Sequence, residues 1–106
     1  MFGRQVSLKL KANSGTELTR IVNDEIIPIL RKQKGFRDET TFVAPERLEA
    51  IANSFWDTKA DAEAYGHTAY SEVLKTLSNV IDGTPTVKNF EFASSTMQPL
   101  AASKLV

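Results

Sequence analysis

The sequence contains no cysteine, one histidine and one tryptophan in 106 residues. Without cysteine, the chain can form no disulfide, no thiolate zinc site and no cysteine nucleophile. Its thirteen basic and thirteen acidic side chains cancel, so it lacks the net positive field that draws in nucleic acid or an anionic membrane. We therefore expect no nucleic-acid partner, no membrane partner and no metal site.

Long apolar runs are also missing. No segment approaches the roughly 20 apolar residues that cross a bilayer, and residues 1–6 lack the apolar run of a signal peptide. Apolar residues make up 42% and charged residues 25% of the chain, which is the usual balance of a soluble globular domain. The sequence predicts one cytoplasmic domain over residues 1–98 and a C-terminal tail over residues 99–106.

The first half of the chain has the pattern of a β-α-β unit. Alternation of apolar and polar residues predicts a strand over Arg4–Ala12. Apolar residues at helical spacing then predict a helix over Thr16–Lys34, with a kink at Pro28 and an end signal at Gly35. Residues that favour β-structure predict a second strand over Phe36–Ala44.

A third extended segment follows closely enough to form a hairpin with the second. Pro45–Arg47 interrupts the β-forming residues, and Leu48–Trp56 resumes them. Neither face of this third strand is wholly polar, so we expect both faces to be buried. One face would carry Ala50, Ala52, Ser54 and Trp56, and the other Ile51, Asn53 and Phe55.

The second half repeats the pattern of helix and strand. A helix is predicted to start near Lys59 and to be loosened or broken at Gly66, so that it has two parts. Its apolar stripe extends to Ile81, and Asp82–Pro85 is expected to stop it. The last strand is predicted over Val87–Ala93.

This order of elements predicts an α+β fold of the ferredoxin-like βαββαβ type. Its four strands would form one antiparallel sheet with two helices on one face. The other face of the sheet also needs to be buried. Packing against the same face of a second copy would bury it in a two-fold symmetric dimer. We expect a homodimer.

Four short segments carry a resemblance to a known family: Gly15–Leu18, Pro28–Phe36, Phe55–Asp57 and Ala60–Tyr65. In this order, over about residues 4–93, the chain resembles the antibiotic biosynthesis monooxygenase type of dimeric α+β barrel. The resemblance implies a homodimer that oxidises an aromatic or other small organic substrate without a cofactor. Because such a fold also serves other functions, a non-enzymatic dimer that binds a small molecule or a partner protein is the alternative.

The resemblance also suggests catalytic residues. Asn53 and Trp56 are similar to an asparagine and a tryptophan on the third strand of the polyketide oxygenases, although three residues separate them here where four is usual. An odd spacing puts two side chains on opposite faces of a strand unless a bulge intervenes. The haem-degrading branch has a histidine on the second helix where Lys75 falls in this chain, so no haem is expected.

The remaining candidates follow from side-chain chemistry. His67, the only histidine, could accept a proton at neutral pH. Tyr65 could position a substrate with Asn53 and Trp56, while Tyr70 and Arg37 could bind it. Packing or simple exposure is the alternative role for each of these residues.

Overall fold

The computed structural model describes residues 1–44 and 48–96. The predicted interruption at Pro45–Arg47 and the predicted tail, residues 99–106, lie outside the described residues. Within them the chain forms, in order, β1 (Phe2–Leu10), α1 (Gly15–Ile21), a π-helical segment (Val22–Ile26), α2 (Ile27–Arg31), β2 (Phe36–Ala44), β3 (Glu49–Trp56), α3 (Lys59–His67), α4 (Tyr70–Leu77) and β4 (Ile81–Glu91).

The four strands form one sheet in the order β2-β3-β1-β4. Each neighbouring pair is antiparallel, and the helices pack on one face of the sheet. This is the ferredoxin-like α+β fold, so the predicted fold class is confirmed.

The core lies between the sheet and the helices. Alternate residues of β1 face the helices and are buried, because the two-residue period of a strand sends every second side chain to the same side. Leu18 of α1 and Trp56 of β3 are fully buried in this core. The predicted alternation is confirmed, but β1 begins and ends two residues before the predicted strand.

The first helical region is less regular than predicted. A single helix over Thr16–Lys34 is wrong, because the middle of the region is π-helical and the last helix ends at Arg31. The amide of Ile27 bonds to the carbonyl of Val22, five residues back. Pro28 follows in the first turn of α2, where its missing N–H costs no helical hydrogen bond. The wider turn therefore accommodates the proline that was expected to kink the helix.

The second helical region has two parts, as predicted, but it breaks later than expected. The hydroxyl of Thr58 accepts a hydrogen bond of 3.1 Å from the amide of Asp61 and caps α3. Gly66 lies inside α3, and the helix leaves regular geometry at Thr68. The predicted break at Gly66 is therefore wrong by two residues.

The last strand begins earlier than predicted. The stretch expected to stop the helix, Asp82–Pro85, is part of β4, and Ile81 pairs with Leu10 of β1. The register of β1 against β4 shifts between Ser7 and Lys9 of β1. The boundaries Val87–Ala93 are thus wrong at both ends. The strand starts earlier because pairing with β1 extends it through weak strand formers, and it ends at Glu91.

The face of the sheet opposite the helices is called the outer face below. Phe42 and Phe90 lie on it with 64% and 52% of their surface exposed, and Ile51 is also exposed there. Exposed aromatic residues on one face are typical of an interaction surface, and the homodimer stays a prediction. No helix in residues 1–44 and 48–96 is long and apolar enough to cross a membrane.

Candidate active site around Arg4

A row of polar side chains crosses the helix-facing side of the sheet. Glu39 of β2 pairs with Ser54 of β3, and Ser54 pairs with Arg4 of β1. Arg4 in turn pairs with Asn89 of β4. Directly opposite residues of neighbouring strands share a face, so a carboxylic acid, a hydroxyl, a guanidinium and an amide lie in line beneath the helices.

A β-bulge near the start of β2 places Glu39 in this row. The register shifts between Phe36, opposite Trp56, and Asp38, opposite Phe55. One extra residue on a strand inverts the alternation beyond it. Glu39 therefore faces the helices, whereas Phe42 faces outward.

Arg4 is a buried cation held by aromatic rings. It is 8% exposed, and its guanidinium carbon lies 4.0 Å from the ring centroid of Tyr70 and 5.3 Å from that of Tyr65. Within residues 1–44 and 48–96, no carboxylate lies within 4.0 Å of its guanidinium nitrogens. Ring faces attract a cation without neutralising it, so Arg4 keeps the capacity to bind an anionic group.

Trp56 supports this cluster from behind. Its fully buried indole stacks on the ring of Tyr65, with centroids 5.0 Å apart, and meets the edge of Phe36 at 5.6 Å. The indole N–H donates a 2.9 Å hydrogen bond to the hydroxyl of Ser54. Trp56 therefore fixes the positions of two side chains that border Arg4.

Burial sets the protonation of the groups near Arg4. Burial raises the pKa of Glu39, while the hydrogen bond from Thr41 acts in the opposite direction. Burial also raises the pKa values of Tyr65 and Tyr70, with the positive charge of Arg4 opposing the rise. Both phenols keep their protons at neutral pH and can donate hydrogen bonds.

Arg4 borders two spaces on the helix-facing side of the sheet and a third on the outer face. A cavity of about 40 Å³ lies between the sheet and the helices, with Glu39, Ser54, Tyr65 and Tyr70 also on its wall. An open groove of about 180 Å³ lies between α3 and the strands β1 and β4. An apolar cavity of about 150 Å³ holds benzene, so the groove has room for an aromatic ring and the cavity does not. Arg4 lines both the cavity and the groove.

The structure brings some of the sequence-predicted residues together. The rings of Tyr65 and Tyr70 meet at a centroid distance of 5.9 Å and both contact Arg4. Trp56 lies behind Tyr65, and His67 is exposed at the end of α3 on the wall of the groove. Tyr65 and Tyr70 therefore line the cavity beside Arg4, with Trp56 behind Tyr65, whereas His67 lines the groove.

The side chains of the other two predicted residues lie outside the cluster, although Asn53 also borders the cavity. The amide oxygen of Asn53 accepts a 3.2 Å hydrogen bond from Gln5, its strand neighbour on the outer face. Arg37 forms an exposed ion pair with Asp57. The spacing argument thus correctly separated Asn53 from Trp56, and Arg37 lies away from the cluster.

The sequence matches no family model, and no curated protein matches it. Solved structures match well in shape. The ActVA-Orf6 monooxygenase of Streptomyces coelicolor, solved with nanaomycin D, has a TM-score of 0.75 and 15% identity, covering 91% of this chain and 90% of that one. A candidate antibiotic biosynthesis monooxygenase from Bordetella bronchiseptica has a TM-score of 0.74 and 11% identity, covering 88% and 97%. The chain has the fold of the antibiotic biosynthesis monooxygenases.

Antibiotic biosynthesis monooxygenase folds accommodate ligands of different chemistry. A variant of MhuD, solved with two manganese protoporphyrins per active site, matches this chain with a TM-score of 0.74 and 12% identity, covering 92% and 99%. At this level of identity the likeness shows the fold, and the ligand of this chain has to be argued from its own residues.

Arg4, Glu39 and Ser54 are site residues that the candidates chosen from the sequence did not include. Arg4 carried a usable signal, because a charge stands where the alternation of β1 requires a core residue, two positions before Val6. Glu39 carried no such signal, since its direction depends on the bulge. In the described part of the chain, no group of three or more histidine or acidic residues could hold a metal ion.

Proposed function

We propose that this protein binds a small aromatic substrate with an acidic hydroxyl or enol in the groove beside Arg4, and oxidises it as a cofactor-independent monooxygenase. The observation that carries the proposal is the buried guanidinium that contacts two tyrosine rings and has no carboxylate within 4.0 Å among the described residues. The likeness to monooxygenase structures supports it. The groove is large enough for one ring, and the rest of a larger substrate would extend into solvent.

Arg4 would stabilise the deprotonated substrate. An opposite charge within about 4–6 Å lowers the pKa of an acidic group by roughly 1–3 units. The guanidinium can therefore hold a substrate oxygen in the groove as an oxyanion. Negative charge delocalised from that oxygen makes the substrate carbon electron-rich.

His67 would accept the substrate proton, because it lines the same groove as Arg4. The carbanion then reduces dioxygen by one electron, and the two radicals combine to form a carbon–oxygen bond. Protonation gives a hydroperoxide, which loses water as the remaining C–H bond breaks. A methylene group and dioxygen thus become a carbonyl group and water, with four electrons moving from carbon to oxygen.

Anthrone tests the proposal, since its methylene carbon loses a proton to give an anion whose charge is delocalised onto the carbonyl oxygen. Oxygen uptake and quinone formation would be followed with the wild type, Arg4→Met, His67→Ala and a control, Lys88→Met, which removes an exposed charge of β4. Loss of a charged hydrogen bond costs about 1.5–3 kcal/mol, so Arg4→Met should lower kcat/KM by about 10- to 150-fold. Unchanged turnover in both Arg4→Met and His67→Ala would refute the mechanism.

A second candidate function is ligand binding without chemistry. The imidazole of His67 is exposed, and no hydrogen bond from the described residues orients it, whereas catalytic bases are usually held in place by a partner. A protein that only binds would retain an acidic phenol such as 1-naphthol in an Arg4-dependent way. Binding without oxygen uptake, across a panel of anthrones and phenols, would favour this candidate.

A further inference from the structure

The cavity between the sheet and the helices has mostly aliphatic walls. Val6 and Leu8 of β1 form its floor, Val22 and Ile26 of the π-helical segment one side, and Val73 and Leu77 of α4 another. Arg4 and the polar row lie at one end. Of the residues that the structure describes, Arg4 is the only cation on the boundary of this mostly apolar space.

The size of the cavity limits what it can hold. At about 40 Å³ it is far smaller than the roughly 150 Å³ apolar cavity that binds benzene. A water molecule would fit, but a buried water typically needs two to four hydrogen-bond partners. In residues 1–44 and 48–96, no buried side-chain nitrogen or oxygen lacks a partner. A small molecule that needs no hydrogen bonds fits these walls better than water does.

We propose that this cavity is a binding site for dioxygen. Dioxygen is a small apolar molecule, and Arg4 separates its cavity from the groove proposed for the organic substrate. In the oxygenase reaction, which is the part that rests on the proposed function, the substrate anion gives one electron to dioxygen and leaves superoxide. The guanidinium would stabilise the superoxide anion in this poorly solvated space. One residue would thus serve the oxyanion on one side and the reduced oxygen on the other.

Binding of the gas can be measured without any organic substrate. Xenon-pressurised crystals should show xenon between β1 and α4. In solution under oxygen pressure, paramagnetic relaxation should broaden the methyl signals of Val22, Val73 and Leu77 at least fivefold more than those of Ile51 on the outer face. Equal broadening at both places, together with a cavity free of xenon, would overturn the inference.

Variants that change the cavity volume give a second test. Val73→Phe should fill the cavity and abolish the selective broadening, while Ile51→Phe, the matched control on the outer face, should leave it unchanged. If Val73→Phe does not fold, Leu77→Ala enlarges the cavity and should raise xenon occupancy. Broadening that persists in folded Val73→Phe, or no gain in Leu77→Ala, would contradict the site.

Kinetics separate this inference from the proposed function. With a turned-over anthrone, Val73→Phe should raise the KM for dioxygen at least fivefold and leave the KM for the anthrone unchanged. An equal rise in both KM values would contradict a separate dioxygen site. If no anthrone or phenol is oxidised, the proposed function fails, while selective gas binding would still establish the cavity as a dioxygen site.

Discussion

Replacing Arg4 by methionine tests whether its charge serves binding or folding. The substitution keeps the length of an unbranched side chain but removes the buried guanidinium. Burying a charge costs several kcal/mol even after relaxation, and each desolvated contact with an aromatic ring offsets about 2 kcal/mol of that cost. With two such rings and no carboxylate partner in residues 1–44 and 48–96, the charge contributes little net stability. We expect Arg4→Met to change the free energy of unfolding by no more than about 1 kcal/mol in either direction.

Urea unfolding followed by tryptophan fluorescence measures this change directly, because Trp56 is the only tryptophan and lies beside the cluster. A change of about 1 kcal/mol corresponds to a shift in Tm of roughly 4–8 °C for a domain of this size. Lys88→Met is the control for loss of an exposed charge. A destabilisation of about 3–5 kcal/mol, typical of a broken buried ion pair, would refute the reasoning and make Arg4 a structural residue.

Three further predictions concern other parts of the fold. Gly35→Ala should destabilise the protein by at least about 1 kcal/mol more than Gly83→Ala in urea unfolding. Both glycines have a positive φ, but only a Cβ at position 35 would meet another side chain, at 2.1 Å from the carboxylate of Asp61. Equal losses of stability in the two variants would contradict this clash. Because burial raises the pKa of Glu39, its stabilising contribution is complete below pH 4.5 and is lost as the pH rises through the raised value. The free energy of unfolding of the wild type relative to that of Glu39→Gln should therefore fall as the pH rises from 4.5 through the raised pKa. A difference that stays constant with pH would contradict this prediction. Phe42→Lys with Phe90→Lys should yield a monomer in sedimentation if the outer face forms the dimer, and a wild type that is already monomeric would remove the homodimer prediction.

The fold could be read from the sequence because its signals are local. Alternation in β1 and the apolar faces of β3 define strands without reference to the rest of the chain. The boundaries failed where tertiary pairing outweighs propensity. Asp82–Pro85 reads as a turn, but hydrogen bonding to β1 makes it part of a strand. The π-helical turn before Pro28 likewise depends on how the helix packs, and periodicity could only indicate an irregularity.

The site was harder to predict because its members meet through strand pairing. Tyr65 and Tyr70 were candidates on side-chain chemistry alone, and their contact depends on where the second helix breaks. Arg4, Ser54 and Glu39 are far apart in sequence and come into line only when three strands pair in the observed register. A pattern within one strand cannot reveal a row that crosses the sheet.

The bulge in β2 makes the chemistry of this sheet sensitive to strand register. If the bulge closed with Arg37 retained, Arg37 would pair with Phe55 and each later residue of β2 would move by one position, turning Phe42 toward the helices and Glu39 toward the outer face. The polar row would then lose its acid, and the outer face would lose an aromatic residue. Removal of Arg37 itself would leave Glu39 opposite Ser54, so a related sequence could lack the extra residue and still keep this acid in the row.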